Sequence, residues 1–224
     1  MSNTKEDILI TALHLFAADG YEAVSVSKIA GELGMTKGAL YKHYRNKRHI
    51  FDSITERMEQ KDAENAERFQ MPEGLREDMQ YKYGNASIQY FIEYSKAQFR
   101  YWTCDDFAAS FRRMLTVEQY RSGEMQKLYQ QYLASGPVGY VADLFDSMKI
   151  EAPEQKAAEF YGILFIFYSI YDGTEDKERV MQLCCDTIDD FADRELRQKK
   201  TYLKPAGDIL ESAHGGMQPR YRVL

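Results

Sequence analysis

Apolar residues return every three or four positions along most of this chain, and no stretch alternates in the way a strand requires. The pattern starts with Ile8, Leu9, Ala12, Leu13 and Phe16, one stripe of a helix over about 5–18, and Gly20 stands where a left-handed stop costs glycine nothing. Only five prolines in 224 residues leave room for long helices, and 44% hydrophobic with 29% charged residues is ordinary for a soluble globular chain. The expected fold class is all-α, with a short N-terminal helical unit followed by a larger helical domain. Three cysteines, two of them adjacent (Cys184 and Cys185), cannot make a disulfide framework and fit a reducing compartment.

After Gly20 the segments become short. Ser25 or Ser27 can cap a helix carrying Ile29, Ala30 and Leu33 on one face, which ends at Gly34. Gly34-Met35-Thr36 is a tight turn, and Thr36 caps a third helix, KGALYKHY, whose Leu40 and Tyr44 face inward. Asn46 caps a fourth helix that continues through Ile50, Phe51, Ile54 and Met58 to about Phe69. Two short helices joined by a glycine-containing turn form a helix-turn-helix, which puts the motif at about 25–44. Its second helix enters the major groove N-terminus first, so the outward residues carry recognition. Gly38 and Ala39 allow close approach. Lys37 and Lys42 reach phosphate or a guanine edge, while Tyr41 offers a hydroxyl and a ring. Lys47 opens a helix, where peptide dipoles already favour an anion.

Charge supports this placement. The chain has a net charge of −6, but residues 1–50 hold seven Lys/Arg against five acids, leaving 22 against 30, or −8, in the rest. Between 28 and 48 there are six bases and one acid, Glu32. A basic block on an acidic chain is the footprint of a phosphate-binding surface.

The string VSVSKIAGELGMTKGALYKHYRNKRHIF resembles the DNA-binding signature of the TetR family of bacterial transcriptional regulators. The shared features are the Ser/Thr cap, the Ile-Ala pair, Gly34, Thr36, Lys37-Gly38, Leu40-Tyr41, His43-Tyr44 and Lys47, over roughly residues 5–55. The resemblance implies that Ser25, Ser27, Thr36, Lys37, Gly38, Ala39, Tyr41, Lys42, His43 and Lys47 lie where family members touch DNA. Lys28 departs from the family, in which many members have an acid; it removes a reciprocal cap and adds a candidate phosphate contact. The resemblance further implies a C-terminal domain that binds a small molecule and dimerises through its last two helices. The chain then divides into a helix-turn-helix DNA-binding domain at 1–50, a ligand-binding and dimerisation domain at 51–200, and an irregular tail at 201–224.

Within 51–200 the apolar period predicts helices over about 76–101, 105–116 and 122–133, a turn at SGPVG (135–139), a helix from APEQ (152–155) to Asp172-Gly173, and another opening near Glu175. The last two are apolar over more than one stripe, as helices buried on several sides are. Phe160, Leu164, Phe167, Leu183, Ile188 and Phe191 are the expected dimer contacts. Tyrosines are costly to bury without partners, so the aromatic middle suggests a ligand cavity with polar handles. Its candidates are Tyr90, Tyr94, Trp102, Phe107, Phe111, Tyr129 and Tyr132, with Glu93, Arg100, Asp105, Arg112 and Arg113 as possible charge. The expected ligand is partly aromatic or apolar.

The functional expectation is a dimeric regulator, a repressor, that binds a palindromic double-stranded operator and leaves it when an effector makes helix 4 swing. No catalytic residue, cofactor or metal is expected. Two other readings compete. In one, DDFAD (189–193) gives Asp189, Asp190 and Asp193 to a magnesium-dependent isoprenoid-type enzyme; in the other, the chain is a DNA-binding scaffold without ligand. The charged N-terminus lacks a signal-peptide run, and FYGILFIFYSIY (160–171) is too short to span a bilayer. The expected setting is cytoplasmic, with no membrane partner.

Overall fold

The computed structural model describes residues 4–68 and 88–197, and every regular element in them is helical. The expected helix breaks at MPEG (71–74) and the 201–224 tail lie outside the described residues.

Helix α1 (Thr4–Asp19) buries Ile8, Leu9, Ala12, Leu13 and Phe16, the stripe seen in the sequence. Gly20 ends it at φ +87°, and a side chain there would also come within 2.3 Å of Arg121 and 2.7 Å of Glu118. The positive φ is what calls for glycine, since the two neighbouring side-chain ends could move aside. Helix α2 (Val26–Glu32) is capped by Ser25, whose Oγ accepts the Lys28 amide at 3.1 Å. Helix α3 (Lys37–Leu40) is capped by Thr36, which accepts the Ala39 amide at 3.2 Å. It is shorter than the 37–44 expected. Beyond Leu40 the Lys42 and His43 amides bond to Ala39 and Leu40, three residues back, so the α-turn tightens into a 3₁₀-like one. In α4 (Lys47–Arg68), Asn46 accepts the His49 amide, and Ile50, Phe51, Ile54 and Met58 are buried. This helix runs through position 50, so the expected boundary between domains falls inside a continuous element.

The remaining helices are α5 (Ile88–Cys104), α6 (Asp106–Glu118), α7 (Gly123–Leu133), α8 (Ser135–Ser147), α9 (Pro153–Gly173) and α10 (Lys177–Phe191), closed by a π-helical turn over Ala192–Arg197. SGPVG is not the expected turn but the first turn of α8. Pro137 is tolerated because the amides of a first turn have no intrahelical partner. Gly136 marks a close approach, since a Cβ there would lie 2.1 Å from the Gln131 carbonyl oxygen. Helix α1 packs on α2, α4 and α6; α9 packs on α8, α10 and α5. One apolar cluster runs continuously from Ile8 to Leu196.

Candidate nucleic-acid interface

Helix α3 is anchored from below. Leu40 is fully buried and Tyr44 is 1% exposed, its hydroxyl donating to the Lys5 carbonyl at 3.1 Å. Burial, with the Glu6 carboxylate adding to it, pushes the Tyr44 hydroxyl up to about 12. Tyr44 therefore ties α3 to the start of α1. Above that anchor Thr36, Lys37, Gly38, Tyr41, Lys42 and His43 are all exposed and Ala39 half-buried. Tyr41 is 43% exposed, with the Lys37 ammonium 5.7 Å from its ring centre. An aromatic ring and cations on one short, capped rod can stack on or donate to base edges and phosphates together.

The other candidates stand apart from that group. Ser25 and Ser27 are exposed at the entrance to α2, but the Ser25 oxygen already serves as a cap. The Lys28 ammonium pairs with Asp19 at 2.7 Å. Lys47 donates to the Tyr21 carbonyl at 2.8 Å, lies 4.2 Å from the Tyr21 ring centre and is 3.7 Å from the Glu22 carboxylate. It clamps the loop between α1 and α2 as much as it faces outward. Arg45, counted in the basic block but left out of the expected contacts, is exposed in the turn before α4, and its side chain has no ion-pair partner among the described residues. Its signal was its position, between the recognition segment and a helix N-terminus.

The links from this unit to the larger domain escaped the sequence reading. Glu118, 1% exposed at the end of α6, accepts the Tyr21 amide and Arg121 Nη1, both at 2.9 Å. Arg48 donates through both terminal nitrogens to Glu124, at 2.7 and 2.6 Å, and through Nε to Asp52. His14 meets Asp106 at 2.7 Å. Charged residues this far apart in the chain carry no pairing signal in a single sequence.

Of the aromatic candidates for a ligand cavity, Trp102, Phe111 and Tyr132 pack together. Tyr90 is 37% exposed in the first turn of α5, and Tyr94 is half-buried. Phe111 is fully buried with its ring edge-on to Tyr132 at 5.2 Å; Trp102 also packs on Tyr132, and Phe107 is 8% exposed. These four side chains are all buried. Tyr129 alone of the seven lines a described cavity, one of about 270 Å³ beside Arg112, Arg113 and Asp172. Asp105 caps α6 and pairs with Lys61, Glu93 lies 3.7 Å from Lys96, and Arg100 is exposed.

The expected dimer set is likewise mostly internal. Phe160, Leu164, Phe167, Ile188 and Phe191 are buried within the single chain, Phe160 against Phe91 and Phe191. Leu183 is outward. The exposed stripe of α9 and α10 consists of Phe165, Ile166, Ile170 and Leu183, between 42% and 54% exposed. Because α9 is apolar nearly all round, periodicity could not distinguish its inner stripe from its outer one.

Asp189 of the Asp-rich segment pairs with Lys96 at 2.7 Å, and no three His, Cys, Asp or Glu side chains gather as a metal site among the described residues. Among those residues no helix is long and apolar enough to cross a membrane.

The family described as "Bacterial regulatory proteins, tetR family" matches residues 8–54, from the first turns of α1 to the middle of α4. Residues 8–54 are a TetR-family domain. Within that TetR-family stretch, the chain is 39% identical over 56 residues to the HTH-type transcriptional regulator YerO of Bacillus subtilis. The match takes in 25% of this chain and 19% of YerO, so it spans about a fifth of that relative's length. The fold likeness extends further. A transcriptional regulator from Rhodococcus aligns over 85% of this chain and 97% of its own at a TM-score of 0.56 and 12% identity. The fatty acid degradation regulator FadR from Bacillus halodurans aligns over 84% and 95% at a TM-score of 0.53 and 14% identity. Identities this low speak for the shared fold of a TetR-family domain joined to a helical C-terminal domain.

Proposed function

We propose that this chain is a dimeric, sequence-specific DNA-binding regulator, a repressor whose hold on a palindromic operator is released by a small-molecule effector. The observation that carries this reading is the exposed side of α3 and of the turn that follows it. Lys37 on α3 and Tyr41, Lys42 and His43 in the turn after it are exposed on a segment fixed by the Thr36 cap, Leu40 and Tyr44. Arg45 extends the positive surface toward the phosphates flanking the groove. Thr36, Gly38 and Ala39 form the close-approach edge. Ser25, Ser27 and Lys28, at the start of α2, meet the backbone beside it, and Lys47 braces the loop that presents them. The acidic remainder of the chain repels DNA and confines contact to this end.

Two copies are part of the mechanism, because a palindrome presents its half-sites about 34–36 Å apart or at multiples of that. Phe165, Ile166, Ile170 and Leu183 offer the surface a second copy covers. Effector binding acts through the contacts α1 and α4 make with the body. Glu118 holds the Tyr21 amide and Glu124 holds Arg48, so a shift of α6 or α7 rotates the DNA-reading unit and swings α4. A coupling of about 1–3 kcal/mol changes operator affinity five- to 150-fold.

The test is a gel shift on a duplex selected from a randomised pool. Lys42→Ala or Tyr41→Ala is expected to weaken the complex by about 1–3 kcal/mol while the protein stays dimeric; an unchanged shift removes the assigned face. Dimerisation has its own check. Ile166→Glu with Leu183→Glu, both at exposed positions, is expected to sediment as the 26.1 kDa monomer and to lose the selected duplex. A double variant that remains dimeric moves the interface elsewhere.

A further inference from the structure

Between the end of α1, the middle of α6 and the C-terminal half of α9 lies the cavity of about 270 Å³. Its deepest charge is Arg112, 5% exposed, which spends its donors internally. Nε donates to the Trp102 carbonyl at 3.0 Å, both terminal nitrogens donate to Asp172 at 2.9 Å, and the guanidinium lies 5.0 Å from the Tyr168 ring centre. Arg113 is different. Only its Nε reaches Asp172, at a long 3.4 Å, and its terminal nitrogens have no partner among the described residues. The Lys177 ammonium sits just behind, on the Tyr171 and Asp172 carbonyls. Two guanidinium groups against one carboxylate in the cavity lining leave this site positive in a domain that is otherwise acidic.

We infer that this cavity is the effector site and that it takes a small monocarboxylate with a compact apolar or aromatic body, its carboxylate on the open fork of Arg113. The planar guanidinium matches a carboxylate through two parallel hydrogen bonds. The Asp172 carboxylate on the same wall disfavours a doubly charged phosphate. Val117, Leu133 and Phe165 supply an apolar seat, with the Tyr129 hydroxyl at its rim, while Thr116 spends its hydroxyl hydrogen on the Arg112 carbonyl. Binding pockets for drug-sized molecules run about 300–1,000 Å³, so the occupant is smaller than those. Ala17 of α1 forms part of the wall, next to Phe16 in the core of the DNA-reading unit. An occupant therefore touches that unit directly. The assignment rests on the effector-responsive reading above and gives it a location and a ligand class.

The experiment is titration calorimetry on the full chain with benzoate and hexanoate against benzyl alcohol and hexanol. Emission from the single tryptophan, Trp102, is followed in parallel, since its carbonyl accepts from Arg112. One carboxylate per chain is expected, bound about tenfold to a hundredfold more tightly than the matching alcohol. A loss of the same size is expected in Arg113→Ala, with partial recovery in Arg113→Lys, as for a hydrogen bond to a charged group. Equal binding of acid and alcohol, unchanged binding by Arg113→Ala, or no heat at millimolar probe overturns the site. Release of a selected duplex by benzoate separates the two claims. Carboxylate binding at Arg113 without release upholds the site and contradicts its role as effector site. Tight DNA binding with no carboxylate site contradicts this inference and leaves the DNA-binding reading standing.

Discussion

Asp172→Ala is expected to lower the unfolding free energy by about 3 kcal/mol, the low end of what breaking a buried ion pair costs. The low end applies because the Asp172 side chain is 27% exposed, so water softens the loss. The damage falls on Arg112, whose guanidinium is left buried with its two terminal nitrogens unsatisfied and only the Trp102 carbonyl in place. In a chain of this size, about 3 kcal/mol corresponds to a melting temperature lower by roughly 6–12 °C. Asp172→Asn keeps one acceptor and is expected to lose less. The pH dependence follows from the same pair. Burial pushes the Asp172 carboxyl up, but hydrogen bonding and charge from Arg112, with help from Arg113, outweigh it and hold the carboxyl below its ordinary value. A carboxyl depressed in the folded state stabilises the protein above the ordinary carboxylate range and loses that contribution as pH falls through its folded value. Wild type is therefore expected to lose stability in that acid window more steeply than Asp172→Asn. Thermal melts across pH check both statements; an Asp172→Ala protein melting with wild type would contradict them.

The helix-turn-helix was legible because its determinants are local. Ser25 and Thr36 cap helices within three residues of themselves, and Gly20 and Gly34 adopt positive φ just after α1 and α2. The inward direction of Leu40 and Tyr44 followed from period alone. What stayed hidden depends on residues far apart in the chain. Gly136 resembled a turn signal because nothing in the sequence reveals the Gln131 carbonyl pressed against it. Phe160, Ile188 and Phe191 resembled an interface because α9 and α10 carry apolar residues on several faces. Arg112 and Asp172, sixty positions apart, and Glu118 and the Tyr21 amide, ninety-seven apart, join only when α1, α6 and α9 pack. A tyrosine that packs and a tyrosine that lines space look alike in sequence, so the aromatic segment could not say which of its members line a cavity.

The basic surface of α3 and the turn after it leads to the second large effect. Lys37, Lys42 and Arg45 are exposed, whereas Lys28 and Lys47 are engaged within the protein. Each phosphate neutralised releases condensed counterions, so log affinity falls linearly with log salt at a slope of about −0.9 per contact. A dimer using three free cations per copy, with the helix N-termini and hydroxyls beside them, reaches about 6–10 phosphates. Its affinity for a selected duplex is then expected to fall about 10³–10⁵-fold between 50 and 200 mM salt. Lys42→Ala should make the slope shallower by about 1 for each copy that carries it, whereas loss of an uncharged base contact would leave the slope as it was. A protein of net charge −6 without a local phosphate-binding surface has no reason to behave in this way. The decisive measurement is this salt titration, by fluorescence anisotropy, of wild type and Lys42→Ala on the same duplex. A steep slope that Lys42→Ala makes shallower is the predicted result; a flat slope, or one identical in the two proteins, would contradict the assignment of α3 as the DNA-reading element.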